Sequence, residues 1–179
     1  MIEVKEKIYW VGAIDWNIRS FHGHLTNRGT TYNAYLVVDE KVALVDTVKE
    51  SFFPEMLQRI REIVDPREID YVISNHTEPD HSGSVAKIME IASGAELIAS
   101  DRGKTGLQKY FGKDLKVTTI TEKPKISLGK RTLQFFATPM VHWPDSMVTY
   151  VPEEKLLLSN DAFEQHIATS KRFDDEVDL

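Results

Sequence analysis

The stretch ISNHTEPDHSGS, residues 73–84, places two histidines and two carboxylates within six positions, directly after an apolar run. Alternate side chains of an extended segment point to the same side, so we expect His76, Glu78 and Asp80 to converge. Pro79 favours this geometry because it biases the preceding residue toward an extended backbone. Ligands of α/β folds commonly lie at the carboxyl ends of strands. The stretch therefore predicts a metal site after a buried strand.

A solvated turn is the alternative interpretation of this stretch. Asp80 would then cap the helix that follows, and the histidines would be incidental. Potential ligands at this spacing, together with further candidates elsewhere in the chain, favour the metal site. The candidates within the stretch are His76, Glu78, Asp80 and His81.

Two later strand ends carry further candidate ligands. His142 follows the segment RTLQFFAT, residues 131–138, and Asp161 follows KLLLSN, residues 155–160. Taken alone, a half-buried loop histidine and a helix N-cap would explain these residues. Together with the first stretch, they place ligands at three strand ends, which we expect to meet at one rim. Both oxygens of Asp161 carry lone pairs, so this carboxylate is able to bridge two cations.

The number and type of candidate ligands favour two iron ions. Three imidazoles and three carboxylates exceed what one zinc ion needs, since three protein ligands and a water suffice for zinc. A blend of nitrogen and carboxylate oxygen suits iron or manganese, whereas imidazole-rich sites suit zinc. A carboxylate at Glu78 would stabilise Fe(III) electrostatically. We therefore expect a diiron site.

The composition excludes several other kinds of site. The 179 residues include no cysteine, which excludes disulfides, thiolate zinc sites, iron–sulfur clusters and cysteine nucleophiles. A formal net charge of −6 offers no broad basic surface for nucleic acid. No apolar run reaches the roughly 18 residues that a membrane span needs, and the N-terminus does not resemble a signal peptide. We expect a cytoplasmic protein with no nucleic-acid or membrane partner.

Hydrophobic patterning predicts an α/β fold in which a strand meander is followed by α/β units and then by further strands. The meander uses residues 8–12, 31–38 and 41–47, with a long surface loop at residues 15–31. Strands alternating with helices predict parallel pairing through right-handed crossovers. These strands are residues 69–74, 96–100 and 115–120, and the helices are residues 51–65 (capped by Ser51), 84–92 and 102–111. The final strands are residues 131–138, 147–152 and 155–160.

The pattern His-x-Glu-x-Asp-His, followed by HWPDSM and SNDAF, resembles the diiron domain of flavodiiron proteins, also called A-type flavoproteins or rubredoxin:oxygen oxidoreductases. VGAIDWNIRSFHG, GTTYNAYLV and LVDTVK extend the resemblance over essentially the whole chain. Related hydrolases carry His where this sequence has Glu78. The resemblance implies the metallo-β-lactamase αβ/βα sandwich, in which two mixed sheets pack face to face with helices outside.

The resemblance also implies a role for each candidate residue. One iron would be held by His76, Glu78, His142 and Asp161, and the other by Asp80, His81 and the bridging Asp161. His22 would lie near the irons without binding them, whereas His24 and His166 match no functional position. The resemblance implies no catalytic residue other than these ligands, and it assigns no cofactor-binding residue in this chain.

The activity implied is reduction of dioxygen to water, or of nitric oxide to nitrous oxide. Electrons would pass through FMN from rubredoxin or a similar carrier, within a head-to-tail dimer or a higher oligomer. The family's second iron takes a further histidine several dozen residues beyond the Asp161 position, and a flavodoxin-like FMN domain follows. This chain ends at Leu179.

We therefore expect residues 1–179 to be the N-terminal portion of the diiron domain, an incomplete sandwich that a companion polypeptide or segment completes. Two other functions stay open from the sequence. One is a non-catalytic diiron sensor of oxygen or nitric oxide, and the other is a zinc-dependent hydrolase of the same fold.

Overall fold

The computed structural model of the chain describes residues 2–21, 23–163 and 165–177. Within these residues the strands are β1 (Ile2–Lys5), β2 (Ile8–Trp10), β3 (Ala13–Asp15), β4 (Ser20–Phe21), β5 (His24–Leu25), β6 (Thr30–Tyr32), β7 (Tyr35–Val38), β8 (Val42–Val45), β9 (Ile69–Ser74), β10 (Glu96–Ala99), β11 (Thr118–Thr119), β12 (Lys125–Ser127), β13 (Thr132–Ala137), β14 (Met147–Val151) and β15 (Leu156–Leu158). The α-helices are α1 (Phe53–Arg61), α2 (Pro79–Ser82), α3 (Val85–Ile91) and α4 (Asp101–Phe111).

The largest sheet has the strand order β1-β2-β7-β8-β9-β10-β11. Its first four strands pair antiparallel, as a meander does. From β8 onward the pairing is parallel, because helices carry the chain back between successive strands. A second, antiparallel sheet has the order β12-β13-β14-β15. The predicted succession of meander, α/β units and returning strands is confirmed.

Two hydrophobic clusters hold the layers together, one on each face of the large sheet. Successive residues of β9 show the division, since Val72 packs in the cluster with helix residues such as Ile88, whereas Ile73 packs against Leu133 and the rest of the small sheet. This alternation follows from the two-residue period of a strand. The layer order is helices, large sheet, small sheet. The outward face of the small sheet exposes Phe136 and Leu157.

The segment expected to be a long surface loop, residues 15–31, is more regular than predicted. Two small two-stranded sheets, β3 with β6 and β4 with β5, pair its backbone. The expected strand at residues 31–38 is divided into β6 and β7, which belong to different sheets. Asn33 lies at the division, and its side-chain oxygen accepts a hydrogen bond from the Trp10 indole at 2.9 Å.

Other elements differ from the prediction at their ends. Helix α1 begins at Phe53 rather than being capped by Ser51, which lies in a short 3-10 turn and makes no capping hydrogen bond. Strands β1 and β12 were not predicted, because both are short strands at sheet edges.

Within the described residues, no helix has the length and apolar character that crossing a bilayer requires.

Leu133→Ala tests the packing between the two sheets. Leu133 is fully buried among residues of both sheets, so the substitution leaves a cavity and should lower the free energy of unfolding by about 2–5 kcal/mol. Leu157→Ala is the matched control on the outward face, where a loss of about 1 kcal/mol or less is expected. Urea denaturation followed by circular dichroism measures both, and equal losses would contradict this layer arrangement.

Candidate metal centre

Three strand ends supply the candidate site. The segment after β9 carries His76, Glu78, Asp80 and His81; the loop after β13 carries His142; and the turn after β15 carries Asp161. The structure brings together all six of these side chains. The first four are buried, the Asp161 side chain is 10% exposed, and the His142 side chain is 55% exposed. The site is therefore enclosed except on the side of His142.

Four of these residues form one compact group. The ligand atoms of His76, Glu78, His142 and Asp161 all lie within 4.8 Å of one another. Glu78 Oε2 is 3.1 Å from both His76 Nε2 and His142 Nε2. Asp161 Oδ2 is 3.4 Å from His76 Nε2 and 3.0 Å from His142 Nε2. Ligands about 2.0–2.2 Å from one shared ion would have similar separations.

The remaining two residues lie on the other side of Asp161. His81 Nε2 is 2.6 Å from Asp161 Oδ1 and 3.1 Å from Asp80 Oδ2. One oxygen of Asp161 therefore contacts the first group, and the other oxygen contacts His81. This arrangement suits a carboxylate that bridges two cations.

Buried polar atoms at the site support a fit to metal. Within the described part of the chain, Asp80 Oδ1 and His81 Nδ1 are buried and have no hydrogen-bond partner. Buried polar groups are costly unless they are hydrogen-bonded, and buried charges are usually paired or bound to metal. Imidazole together with carboxylate is a suitable donor set for iron. The residues therefore fit a pair of metal ions.

The carboxylates make the site favourable for positive charge. Burial by itself lowers the pKa of His76, but hydrogen bonds to Asp145 and Glu78 raise it to about 9. Burial likewise lowers the pKa of His81, yet contacts with Asp161 and Asp80 raise it well above its usual value. The negative charge that favours protonated imidazole in this way also favours a bound cation.

The segment after β9 is not extended through Asp80, contrary to the prediction. Glu78 has an extended backbone, but α2 begins at Pro79, so Asp80 and His81 project from a helical turn. Thr47 fastens the turn, because its N–H and its hydroxyl both donate to the His81 carbonyl, at 2.9 and 2.6 Å. Gly83 follows the turn where a Cβ would lie 2.3 Å from the Pro79 carbonyl oxygen. The structure brings these side chains together through a helical turn rather than through the extended backbone that we expected.

A buried polar network holds the start of this segment. Asp46, at φ 59°, accepts hydrogen bonds from the backbone N–H and the side-chain amide of Asn75, both at 2.8 Å. The Thr149 hydroxyl donates to the Asn75 side-chain oxygen at 2.8 Å. The network joins β8, β9 and β14 beneath the site. Sequence reasoning assigned it no role, although the motif LVDTVK contains Asp46.

A second carboxylate that sequence reasoning did not assign is Asp145, which contacts His76 at 3.0 Å. It lies in the motif HWPDSM, only three positions after His142. Burial raises its pKa, but hydrogen bonding to His76 and Thr77 lowers it overall. Asp145 therefore neighbours the site without belonging to the group of candidate ligands.

The remaining histidines are His22, His24 and His166. His22 lies outside the described residues, so its expected position near the metals stays a prediction. The side chain of His24 is likewise not described. His166 is exposed, and its Nδ1 lies 3.1 Å from the Thr30 hydroxyl oxygen.

Comparison with known proteins identifies the family. Residues 30–178 match the family described as ODP family beta lactamase. The chain belongs to this family. A crystal structure of the flavodiiron protein from Giardia intestinalis superposes with a TM-score of 0.94 at 39% identity, covering 98% of this chain and 43% of that one. The predicted flavodiiron resemblance and the metallo-β-lactamase-like fold are thus confirmed.

Similarity to curated flavodiiron relatives is high along the chain. A nitric oxide reductase of Moorella thermoacetica is 53% identical over 99% of this chain and 45% of its own length. A rubredoxin-oxygen oxidoreductase of Megalodesulfovibrio gigas is 45% identical over 98% of this chain and 44% of its own length. The chain therefore spans less than half the length of these relatives.

Asn75→Ala tests whether the polar network supports the site. The substitution leaves Asp46 Oδ2 and the Thr149 hydroxyl without their Asn75 partners inside the protein, so the free energy of unfolding should fall by about 2–4 kcal/mol. Asn17→Ala, at an exposed position, is the control and should change it by about 0.5 kcal/mol or less. Urea denaturation checks both values, and a near-neutral Asn75→Ala would show that the network contributes little.

Proposed function

We propose that this chain is the N-terminal, metal-holding portion of a diiron reductase of the flavodiiron type, acting on dioxygen, nitric oxide or both. The observation that carries the proposal is the position of Asp161. One oxygen of its carboxylate contacts His76 and His142, and the other contacts His81. Two metal ions sharing one carboxylate account for this arrangement better than a single ion does. The names of the relatives support the reductase assignment.

Six side chains would hold the two irons. His76, Glu78, His142 and Asp161 would bind the first iron, and Asp80, His81 and Asp161 the second. Glu78 is buried between two imidazoles, where its negative charge favours iron in its higher oxidation state over zinc. When bound, the irons supply electrons in pairs to the oxygen or nitric oxide substrate.

The chain's own residues enclose the proposed metal site and leave one side of it open to solvent. His76, Glu78, Asp80 and His81 are almost completely shielded from solvent, so water reaches the ligands poorly from their side. His142 is the most exposed of the candidate ligands, and we propose that a small substrate enters beside it. Enclosure strengthens each electrostatic contact within the site, because the local dielectric is low.

The chain spans less than half the length of the relatives it matches, and the electron supply of the whole protein belongs to the same proposal. We infer that electrons come from rubredoxin or a similar carrier through FMN bound by a flavodoxin-like domain, in a head-to-tail dimer. A companion segment would complete the sandwich and supply a further histidine to the second iron. The exposed apolar side chains Phe136 and Leu157 support a covering layer on the small sheet.

Asp161→Ala tests the shared carboxylate. Because it removes a ligand from both ions, we expect it to lower iron content more than His142→Ala, which affects the first group alone. His166→Ala is the control, since His166 is exposed and contacts Thr30 and Phe21 rather than the site. Iron per chain after reconstitution and gel filtration is measured by elemental analysis. Equal losses in Asp161→Ala and His142→Ala would contradict the bridging role.

Anaerobic single-turnover measurement tests the reaction. Iron-reconstituted chain is reduced, freed of excess reductant and mixed with nitric oxide. Two nitric oxide molecules, two electrons and two protons should give one nitrous oxide and one water, and gas chromatography should detect about one nitrous oxide per diiron site. The metal-free chain is the control.

Two other results would favour the alternative functions. Reversible binding of nitric oxide or oxygen without product would indicate a sensor. A colourless protein that retains two zinc ions after expression in iron-supplemented medium, and that cleaves thioesters, would replace the reductase with a hydrolase.

A further inference from the structure

We propose that Asp145 is a positioning residue that fixes the orientation and the tautomer of His76, so that His76 Nε2 is presented to the metal. The effect of Asp145 on catalysis rests on the proposed function. The contact between Asp145 and His76 does not depend on which reaction the site performs. Asp145 is 5% exposed and lies outside the group of candidate ligands. Its role therefore differs from that of the carboxylates that would bind metal.

The two nitrogens of His76 face different partners. Nδ1 lies 3.0 Å from Asp145 Oδ2, whereas Nε2 lies 3.1 Å from Glu78 Oε2 and 3.4 Å from Asp161 Oδ2. The contact with Asp145 is thus on the opposite side of the ring from the candidate metal ligands. A histidine that binds metal through one nitrogen commonly donates its other N–H to a carboxylate, which fixes the ring.

The carboxylate of Asp145 requires a proton on His76 Nδ1. Asp145 Oδ2 accepts a hydrogen bond from the Thr77 backbone N–H at 2.8 Å. The same oxygen faces His76 Nδ1, and an ionised carboxylate is an acceptor only. Nδ1 must therefore donate to Asp145. Nε2 faces the Glu78 carboxylate in the same way, so a metal ion bound at Nε2 would replace a proton there while Nδ1 keeps its own.

Asp145 is itself held firmly in place. Its backbone carbonyl accepts a hydrogen bond from the Ser100 hydroxyl at 2.6 Å. Ser100 also caps α4, because its hydroxyl oxygen accepts from the Gly103 N–H at 2.9 Å. Trp143, in the same loop, packs edge-on against His76 with ring centroids 5.0 Å apart. The ring of His76 is therefore fixed by a hydrogen bond and by packing.

This arrangement couples two ligand-bearing segments. The loop after β13 provides His142 as a candidate ligand and, three residues later, Asp145 as support for His76. His142 and His76 also contact each other, with ring centroids 5.2 Å apart. A change at Asp145 should therefore act on metal binding through His76 without removing a ligand.

Zinc affinity and histidine NMR of the full chain test the proposal, with Zn²⁺ chosen as a diamagnetic probe. Asp145→Asn keeps an acceptor oxygen but removes the charge, and Asp145→Ala removes both. We expect the Kd for Zn²⁺, measured by competition with a chromophoric chelator, to rise about 10–100-fold in Asp145→Ala and less in Asp145→Asn. Asp101→Asn removes one negative charge next to Ser100, outside the site, and should change the Kd by about two-fold or less.

The NMR measurement separates positioning from a general loss of stability. In ¹⁵N-histidine-labelled, Zn²⁺-loaded protein, His76 should show a protected Nδ1–H signal that shifts in Asp145→Asn and exchanges with water in Asp145→Ala. Circular dichroism identifies any variant that fails to fold, and Asp145→Asn remains informative if Asp145→Ala is such a variant.

An unchanged His76 Nδ1–H signal in the folded variants, or a Kd equal to that of Asp101→Asn, would overturn the proposal. Neither measurement uses nitric oxide or oxygen. If these effects are observed but no nitrous oxide forms, the role of Asp145 is supported and the proposed reductase function is contradicted.

Discussion

The contacts of the Asp161 carboxylate are the interaction on which the rest of the site depends. Its two oxygens contact His76 and His142 on one side and His81 on the other. For this to occur, three strand ends from two different sheets must reach the same rim. The packing of the small sheet against the large one is therefore a requirement of the site as well as of the core.

The burial of charged side chains makes the site favour cations. Carboxylates placed among buried imidazoles would repel one another and be poorly solvated without compensating positive charge. The contacts with these carboxylates raise the pKa values of His76 and His81, so the site favours positive charge on both rings. Metal ions would supply more of it, and they would also satisfy buried atoms such as Asp80 Oδ1. The same side chains would thus account for the affinity for cations and for the preference for iron that we propose.

Support for the ligands comes from buried groups that are not ligands themselves. Asp46, Asn75 and Thr149 fix the start of the segment after β9, and Asp145 fixes the ring of His76. The Thr47 hydroxyl fixes the turn that carries His81. Each of these hydrogen bonds joins residues far apart in the chain, so the ligand geometry depends on the complete packing of the sheets.

The sequence by itself determined the fold class, most strands and helices, and the identity of the six candidate ligands. Apolar periodicity locates buried elements such as β9, and a dense cluster of ligand types is a local signal. The sequence did not reveal the pairing within residues 15–31, because weak local preferences there yield to tertiary contacts. The family resemblance implied that Asp161 is shared by the two groups, but only the tertiary structure gave the distances and showed that Asp145 contacts His76. Those facts depend on distances between residues from separate strands, which no local pattern encodes.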